Sequence, residues 1–545
     1  MTAGPAEGRR RRVLIVGLDA GDAELIEQWC AEGALPHIAA MRARGTWARM
    51  ATTADVLHVS AWPSIFTGAP PDAHGLYHAY VAKPGYQGPV RPRPEESPVP
   101  FLWKLLSERG RRSVIMDAFM TCPLRDFVGT QIVEWGTWSW FTEPAIIPAS
   151  LGKEMRQRFG PYPAEDHSKI GMVPLPDPEG FRRRLLAAVA RKVEVVTWLM
   201  GREDWDLFLV VFGECHGAGH YFWHYQDPEY VAYPTDASAE LRSALRDVYA
   251  ALDRGIGELL RHVDQDTTVL LVAGDGMGPN YSGSHVLGHL LARMGLLHDT
   301  QLGPAAAAAD ADGASARRPH EGRRDLLSTL RSIIPRSLRA TISRTMLPRR
   351  VNERLSLRWK TAGIDWQRTR AYLIENANEG YIRVNLAGRE PQGTVAPGSD
   401  YEALCDEICR TAAEMINPAT GVPAAQAVHR IDGLYQEPCR VLMPDVVINW
   451  SDQARITTEL ATQRYGVARH PQPGHAVAPF YTGNHRPNAF GLAVGPGIAA
   501  GATLEGAHIL DLAPTILDHF GIEVPPHMTG RVLRELWRPT AAAAD

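Results

Sequence analysis

Four short apolar segments constrain the fold of this chain most strongly, because each is followed at once by glycine or polar residues. The segments are RRVLIVGLDAGD, RRSVIMDAF, WDLFLVVFGE and DTTVLLVAGDG, and segments with helical spacing of apolar residues alternate with them. Continuous apolar runs that alternate with helices are typical of strands buried on both faces. The sequence therefore predicts an α/β protein with a large, mainly parallel sheet sandwiched between helices.

The ends of these predicted strands carry residues suited to binding a cation. Asp19 follows the first strand, residues 214–220 follow a later one, and Asp275 follows another. In open α/β sheets, chemistry collects at the carboxyl ends of the strands. We therefore expect three distant parts of the chain to meet at one edge of the sheet.

The segment VFGECHGAGHYFWH contains His216, His220 and His224. Histidines four residues apart share one face of a helix, and the same spacing in a tight loop also permits chelation. Neutral imidazole is a common ligand of zinc and similar divalent ions. Taken alone, the first two histidines are better explained as ordinary polar residues of a strand-to-helix turn. The aromatic run that follows favours core packing, with a substrate pocket as the alternative.

Three other candidate residues lie in two further segments. His485 lies in a GNHRP loop, and His58 and Ser60 lie in ADVLHVSAWPSIFTG. A hydroxyl or an imidazole at the start of a helix is well placed to bind an anion or attack phosphorus, because the helix N-terminus favours negative charge. Each candidate also has a structural alternative. His485 could be a surface loop residue, Asp19 and Ser60 could be helix caps, and Asp275 could belong to an Asp-Gly turn.

Composition excludes several classes of protein. The chain has 545 residues, of which 45% are hydrophobic, enough for one large domain with insertions or two closely packed domains. A net charge of -4 argues against general nucleic-acid binding. The six cysteines form no CxxC pair, and no apolar run reaches the length that spans a bilayer. The sequence therefore predicts a soluble, cytoplasmic protein and leaves its oligomeric state undefined.

The chain is expected to interrupt its α/β core with an insertion. Residues 1–299 are predicted to form the first part of the core, and residues 366–545 the remainder, including the C-terminal metal-ligand loop. The intervening residues 300–365 combine a low-complexity, alanine-rich stretch with an arginine-rich, partly helical one. A solvated helical insertion is favoured there over contact with a membrane, another subunit or an acidic substrate.

Six pieces in this order resemble the alkaline phosphatase superfamily, and within it the type I phosphodiesterase/nucleotide pyrophosphatase branch. They are GLDAGD, WPSIFTGAPPDAHG, ECHGAGH, GDGMG, GNHRP and LDLAPTILDHFGI. The resemblance implies two divalent metal ions, zinc first and manganese or iron as alternatives. These ions would activate a hydroxyl nucleophile and stabilise the phosphoryl group in transfer. It implies as metal ligands Asp19, His216, His220, Asp275 and His485.

Three positions depart from the family pattern. Histidine stands at position 216 in place of aspartate, and Gly276 stands in place of a histidine ligand. The nucleophile position falls on His58, two residues before Ser60.

The resemblance therefore implies two unequal metal sites. One is built from three histidines, an arrangement that leaves a fourth position open for water. The other is built from two aspartates, to which the imidazole of His58 could be added. The members of the two sites are His216, His220 and His485 for the first, and Asp19 and Asp275 for the second.

The predicted function is metal-dependent hydrolysis of phosphate esters, with small-molecule phosphodiesters or nucleotide-like pyrophosphates as substrates. Two mechanisms stay open: Ser60 attacks and is phosphorylated, or His58 is a ligand or nucleophile and a metal-activated water attacks directly. The functional alternatives are hydrolysis of sulfate or phosphonate esters or a lyase reaction on the same scaffold, and a binding protein that has lost catalysis.

Overall fold

The structure of the protein is a computed structural model that describes residues 11–136, 142–164, 175–230, 233–302, 361–471 and 481–537. Most of the predicted insertion, residues 303–360, therefore lies outside the described residues. All six cysteines are free thiols. No helix in the described ranges has both the length and the apolar character needed to cross a membrane.

A nine-stranded sheet forms the centre of the molecule, as the apolar segments predicted. Its strands, from one edge to the other, are β19, β2, β18, β9, β1, β8, β5, β6 and β7. Neighbours run parallel except where β18 meets β2 and β9 and where β6 meets β7. The strand bounds are β1 Arg12–Leu18, β2 Thr46–Met50, β5 Ser113–Met116, β6 Gly129–Val133, β7 Ala145–Ile147, β8 Leu207–Phe212, β9 Thr267–Ala273, β18 Ala489–Val494 and β19 Ala502–Thr503.

Both faces of this sheet are buried. Leu14, Val16 and Leu18 of β1 belong to one apolar cluster, while Val13 and Ile15 belong to another on the opposite face. Successive side chains of a strand point to opposite faces, so a strand covered on both sides needs an unbroken apolar run. The apolar run of β1 therefore follows from its central position in the sheet.

Helices cover the two faces of the large sheet, and others pack on the second sheet described below. Their bounds are α1 Ala23–Ala31, α2 Pro36–Arg44, α3 Ala61–Thr67, α4 Pro71–His74, α5 Leu102–Glu108, α6 Ala149–Phe159, α7 Pro178–Arg202, α8 Glu214–Gln226, α9 Ala239–Arg242, α10 Ala244–Leu260, α11 Ser284–Arg293, α12 Ser399–Ala413, α13 Ile431–Leu434 and α14 Leu512–His519.

The segment after β1, which has helical spacing of apolar residues, forms two helices. The first helix ends at Ala31 and the second begins at Pro36. Proline is favoured at the first position of a helix and disrupts a helix interior, so the break falls where the proline requires it.

A second, antiparallel sheet packs on its own apolar cluster. Its order is β11, β12, β14 and β13, with bounds β11 Ala371–Ile374, β12 Gly380–Val384, β13 Ala425–Arg430 and β14 Val446–Trp450. Two small hairpins and one antiparallel pair of distant strands complete the described strands. They pair β3 Val81–Ala82 with β4 Pro89–Val90, β10 Gly276–Pro279 with β17 Gly483–Arg486, and β15 Glu459–Thr462 with β16 Gly466–Arg469.

Candidate metal centre

Three imidazole rings from two distant parts of the chain meet at the carboxyl edge of the large sheet. His216 Nε2 lies 2.9 Å from His220 Nε2 and 3.2 Å from His485 Nε2. The first two rings come from successive turns of α8, which directly follows β8. The third comes from β17, opposite Met277 of β10, the strand that follows β9. The predicted convergence of strand ends therefore brings three ring nitrogens to one point.

This group of nitrogens fits a divalent cation. Two nitrogens bound to one tetrahedral zinc at about 2.0–2.1 Å lie about 3.3 Å apart, close to the two separations given above. Among the described residues, only His216, His220 and His485 form a set of at least three side chains whose ligand atoms all lie within 4.8 Å of one another. The donor set is neutral imidazole, which suits zinc and similar ions.

The outer nitrogens of two rings have acceptors of their own. His220 Nδ1 lies 2.8 Å from the Gly483 carbonyl oxygen, and His485 Nδ1 lies 2.6 Å from Asp275 Oδ2. An N–H that donates outward leaves the Nε2 lone pair for a metal, and this arrangement orients ligating histidines in many metal sites. Burial raises the pKa of Asp275 to about 7 and lowers the pKa of His485 well below its usual value.

Two glycines let α8 approach the antiparallel pair β10–β17 this closely. A Cβ on Gly219 would lie 2.7 Å from Met277 Cγ, and a Cβ on Gly483 would overlap the Gly219 carbonyl oxygen. The backbones of α8 and of this strand pair are therefore in contact beside His220. Gly219 of ECHGAGH and Gly483 of GNHRP are thus explained by the close packing around the three histidines.

Asp19 lies on the other side of the histidines. Its Oδ2 is 3.5 Å from His216 Nδ1, and its Oδ1 accepts a hydrogen bond of 2.7 Å from Trp62 Nε1. The two predicted carboxylates therefore contact different histidines, since Asp275 contacts His485.

His58 lies beside the centre and is held by protein groups. Its ring stacks on the ring of His485 with centroids 4.3 Å apart. Its Nδ1 is 2.5 Å from Glu379 Oε1, and its Nε2 is 2.9 Å from Asn378 Nδ2. Burial would lower the pKa of His58, but the Glu379 carboxylate outweighs it and the pKa is raised. Both ring nitrogens are therefore already in contact with side chains.

Sequence reasoning missed a group of residues that lines this side of the centre. Glu379 and Asn378 come from the β11–β12 turn of the second sheet, and Asn376 donates to Glu379 Oε2 at 2.6 Å. Tyr481 stacks on His220 with centroids 4.1 Å apart, and its hydroxyl donates to Asn378 Oδ1 at 3.2 Å. The polar turn ENANEG, placed between two apolar strands, was the only signal of this group in the sequence.

Ser60 makes its hydrogen bonds inside the protein. Its hydroxyl donates to the Leu57 carbonyl at 2.6 Å and lies 2.7 Å from Thr53 Oγ1. The Thr53 hydroxyl in turn donates a hydrogen bond to Ser64 Oγ, which lies 3.1 Å from His74 Nε2. Burial lowers the pKa of His74 to about 3, so this buried chain of hydroxyls ends on a neutral imidazole.

Three aromatic residues of the histidine-rich helix belong to the core. Tyr221, Phe222 and Trp223 are buried in the main apolar cluster, which supports the core interpretation of the aromatic run. His224 lies one turn beyond His220, and its Nδ1 is 3.0 Å from Thr482 Oγ1.

Gly276 has no room for a side chain. A Cβ there would overlap Asp22 Oδ2 and lie 2.8 Å from Asn488 Cβ. The Asp22 carboxylate is fixed in place, because it caps α1 and accepts hydrogen bonds from Met277 N and Asn488 Nδ2. The position where the family pattern has a histidine is therefore closed in this chain.

We accordingly expect Gly276→Ala to lower the free energy of unfolding by about 1–3 kcal/mol, the usual range for overpacking a filled interior. Urea denaturation checks this value. Gly201→Ala is the matched control, since nothing lies within 4 Å of its Cβ in α7. The control should leave stability unchanged or raise it by up to about 1 kcal/mol. An equally small effect of both substitutions would contradict the overlap.

Comparison with known proteins gives a family and a set of similar structures. Residues 13–380, more than half of the chain, match the family described as type I phosphodiesterase / nucleotide pyrophosphatase. Comparison with curated proteins found no match.

Two solved structures illustrate the structural similarity. An inactive form of murine ectonucleotide pyrophosphatase/phosphodiesterase 5 in complex with AMP has 11% identity and a TM-score of 0.46, covering 96% of this chain and 99% of that chain. Phosphonoacetate hydrolase from Sinorhizobium meliloti in complex with phosphonoformate has 12% identity and a TM-score of 0.45, covering 93% of this chain and 97% of that chain.

Proposed function

Because this chain belongs to the type I phosphodiesterase/nucleotide pyrophosphatase family, whose members are hydrolytic enzymes, we propose that it is a metal-dependent hydrolase of phosphodiesters or nucleotide-like pyrophosphates. The observation that carries the proposal is the approach of two Nε2 atoms, those of His220 and His485, to within 3.2 Å of a third, His216 Nε2. A divalent ion bound there would supply Lewis acidity, offsetting phosphoryl charge and lowering the pKa of a bound water.

The residues around the histidines prepare them for an ion before it binds. Asp275 and the Gly483 carbonyl each accept an Nδ1–H, so that His485 and His220 present unprotonated Nε2 atoms to the centre. The stack of Tyr481 on His220 and of His58 on His485 limits rotation of these two rings. The ligands are thereby held in one geometry.

A second ion, as the family resemblance implies, would have Asp19 and Asp275 as its carboxylate ligands. The remaining candidates contribute less to such a site. Gly276 has no side chain, and both ring nitrogens of His58 are in contact with Glu379 and Asn378. We therefore propose one strong site on the three histidines and a weaker second site on the aspartates.

We propose direct attack by water in preference to attack by Ser60. The serine hydroxyl donates to the Leu57 carbonyl in a fully buried position. The imidazole of His58 instead lies against a metal-ligating ring, where Glu379 keeps its pKa high. In this arrangement the imidazole acts by orientation and charge beside the phosphoryl group, and no phosphoenzyme forms.

We expect Ser60→Ala to retain turnover within about threefold, with a loss of stability of about 1 kcal/mol for the broken hydrogen bonds. His58→Ala should lower turnover by about 10²-fold or more, as removal of a positioned charged group typically does. Steady-state kinetics compares the two variants. Intact-protein mass spectrometry of quenched turnover adds a direct check, because a phosphate adduct at Ser60 would contradict attack by water.

Metal quantification on the purified protein, with a parallel substrate screen, tests the proposed function. We expect at least one divalent ion per chain and a preference for a phosphodiester over a phosphomonoester, a sulfate ester and a phosphonate. A metal-free protein with full activity would overturn metal dependence. A preference for the sulfate or phosphonate would overturn the proposed substrate class while leaving metal dependence intact.

A further inference from the structure

A buried lysine lies behind the histidine helix. Lys192, on α7, has no solvent exposure, and its Nζ lies 3.0 Å from Asp117 Oδ2 and 3.6 Å from Glu214 Oε1. The ammonium also donates to the carbonyl oxygens of Val211 at 3.0 Å and Gly136 at 3.3 Å. Burial would lower the pKa of this lysine, but the two carboxylates outweigh it and the pKa is raised.

The partners of this ammonium lie at the carboxyl ends of three neighbouring parallel strands. Asp117 directly follows β5, Gly136 follows β6, and Val211 is the second-last residue of β8. The same edge of the sheet carries the histidine centre. Asp117 also links β5 to the residues after β6, because its carboxylate accepts hydrogen bonds from the backbone N–H groups of Trp135 at 2.8 Å and Gly136 at 3.0 Å.

The first turn of α8 contacts this network through Glu214. The residue before the helix is Gly213, which has no side chain with which to cap the first backbone N–H groups. Glu214, the first helical residue, contacts Lys192 and accepts a hydrogen bond of 2.8 Å from the Tyr162 hydroxyl. Cys215 Sγ lies 3.0 Å from the Asp19 carbonyl oxygen. His216 is the next residue along the helix.

Stability alone gives a weak reason for a charged group in this position. A buried ion pair carries a desolvation penalty of several kcal/mol per ion, and apolar replacement of a whole buried network is often neutral or stabilising. An apolar side chain at position 192 could not make these directional contacts. The ammonium joins three strand ends and the start of a helix.

We propose that Lys192 is a positioning residue for the metal centre: by joining Asp117 to Glu214 it fixes the first turn of α8 and thereby the place of His216. The inference rests on the proposed function, because it concerns the affinity of the same histidines for a divalent ion. The Lys192 contacts given above are with Asp117, Glu214, Val211 and Gly136, so the lysine acts on the three histidines through α8.

Cobalt binding tests this role with a readout other than activity. Co²⁺ is titrated into metal-free protein, and its visible absorption band and dissociation constant are compared for wild type, Lys192→Met and the uncharged triple variant Lys192→Met/Asp117→Asn/Glu214→Gln. We expect Lys192→Met to weaken Co²⁺ binding by about 10–100-fold, the range for groups that orient metal ligands. The triple variant should regain thermal stability and still bind Co²⁺ weakly.

The control variant is Arg383→Met, which breaks another buried ion pair, with Glu390, in the second sheet. It should lower thermal stability without changing the Co²⁺ dissociation constant or the absorption band. Wild-type affinity and spectrum in Lys192→Met, or recovery of both in the triple variant, would overturn the positioning role.

Hydrogen exchange on the metal-free proteins separates failure of this inference from failure of the proposed function. Peptides covering the start of α8 should exchange faster in Lys192→Met than in wild type and remain protected in Arg383→Met. A wild-type protein that binds no Co²⁺ would overturn the proposed function. Unchanged exchange at α8 in Lys192→Met would overturn the inference whatever the metal result.

Discussion

Replacing His220 with alanine is expected to abolish metal binding and catalysis together. The variant leaves two imidazoles at the centre and removes the ring whose Nε2 lies 2.9 Å from His216 Nε2. Because a bound ion contributes several kcal/mol to stabilising the transition state, turnover should fall by about 10³-fold or more. Zinc content after dialysis and the rate of phosphodiester hydrolysis measure the two effects.

His224→Ala is the matched control for this substitution. It removes an imidazole one helical turn further along α8, where the ring contacts Thr482 and is not a member of the three-histidine group. Zinc content and turnover should both stay close to wild type. A His220→Ala protein that keeps stoichiometric zinc and most of its activity would contradict the assignment of the ligands.

Glu379→Ala is expected to have the largest effect on stability. The substitution removes the carboxylate that pairs with His58 at 2.5 Å and accepts from Asn376 at 2.6 Å, in a site almost closed to water. Burial would raise the pKa of Glu379, but His58 outweighs it and the pKa falls to about 2, so the carboxylate is charged near neutral pH. Removing one partner of a buried pair typically destabilises a protein by about 3–5 kcal/mol.

A double-mutant cycle with His58→Ala separates this pair from its surroundings. If the two residues act as a pair, the double variant should lose less stability than the sum of the single losses, with a coupling energy of about 0.5–3 kcal/mol. Urea denaturation of the four proteins supplies the values. Additive losses would show that Glu379 stabilises the fold by other contacts.

Much of the core and of the histidine group follows from the sequence. An unbroken apolar run predicts a strand with both faces buried, and β1, β8 and β9 are adjacent in the sheet as such runs require. Asp19, the histidines of α8 and Asp275 come immediately after these strands, so their convergence needs only the parallel arrangement. The roles of these residues as metal ligands remain a proposal.

The residues around the histidines could not be predicted in the same way. Glu379 and Asn378 belong to a turn of the second sheet, and no periodicity in the sequence shows that this turn reaches His58. The contact of Asp22 with Gly276 could not be predicted either, because Asp22 has the sequence pattern of an ordinary helix cap. Only the folded chain shows that its carboxylate fills the space beside Gly276.

X-ray absorption spectroscopy of the zinc-loaded protein tests the central claim most directly. The account predicts zinc bound by three imidazole nitrogens at about 2.0–2.1 Å, with the outer-ring scattering that histidine produces. His220→Ala should lose this signature. A zinc shell made only of oxygen or sulfur, or the absence of any stoichiometric zinc, would contradict a cation site on His216, His220 and His485.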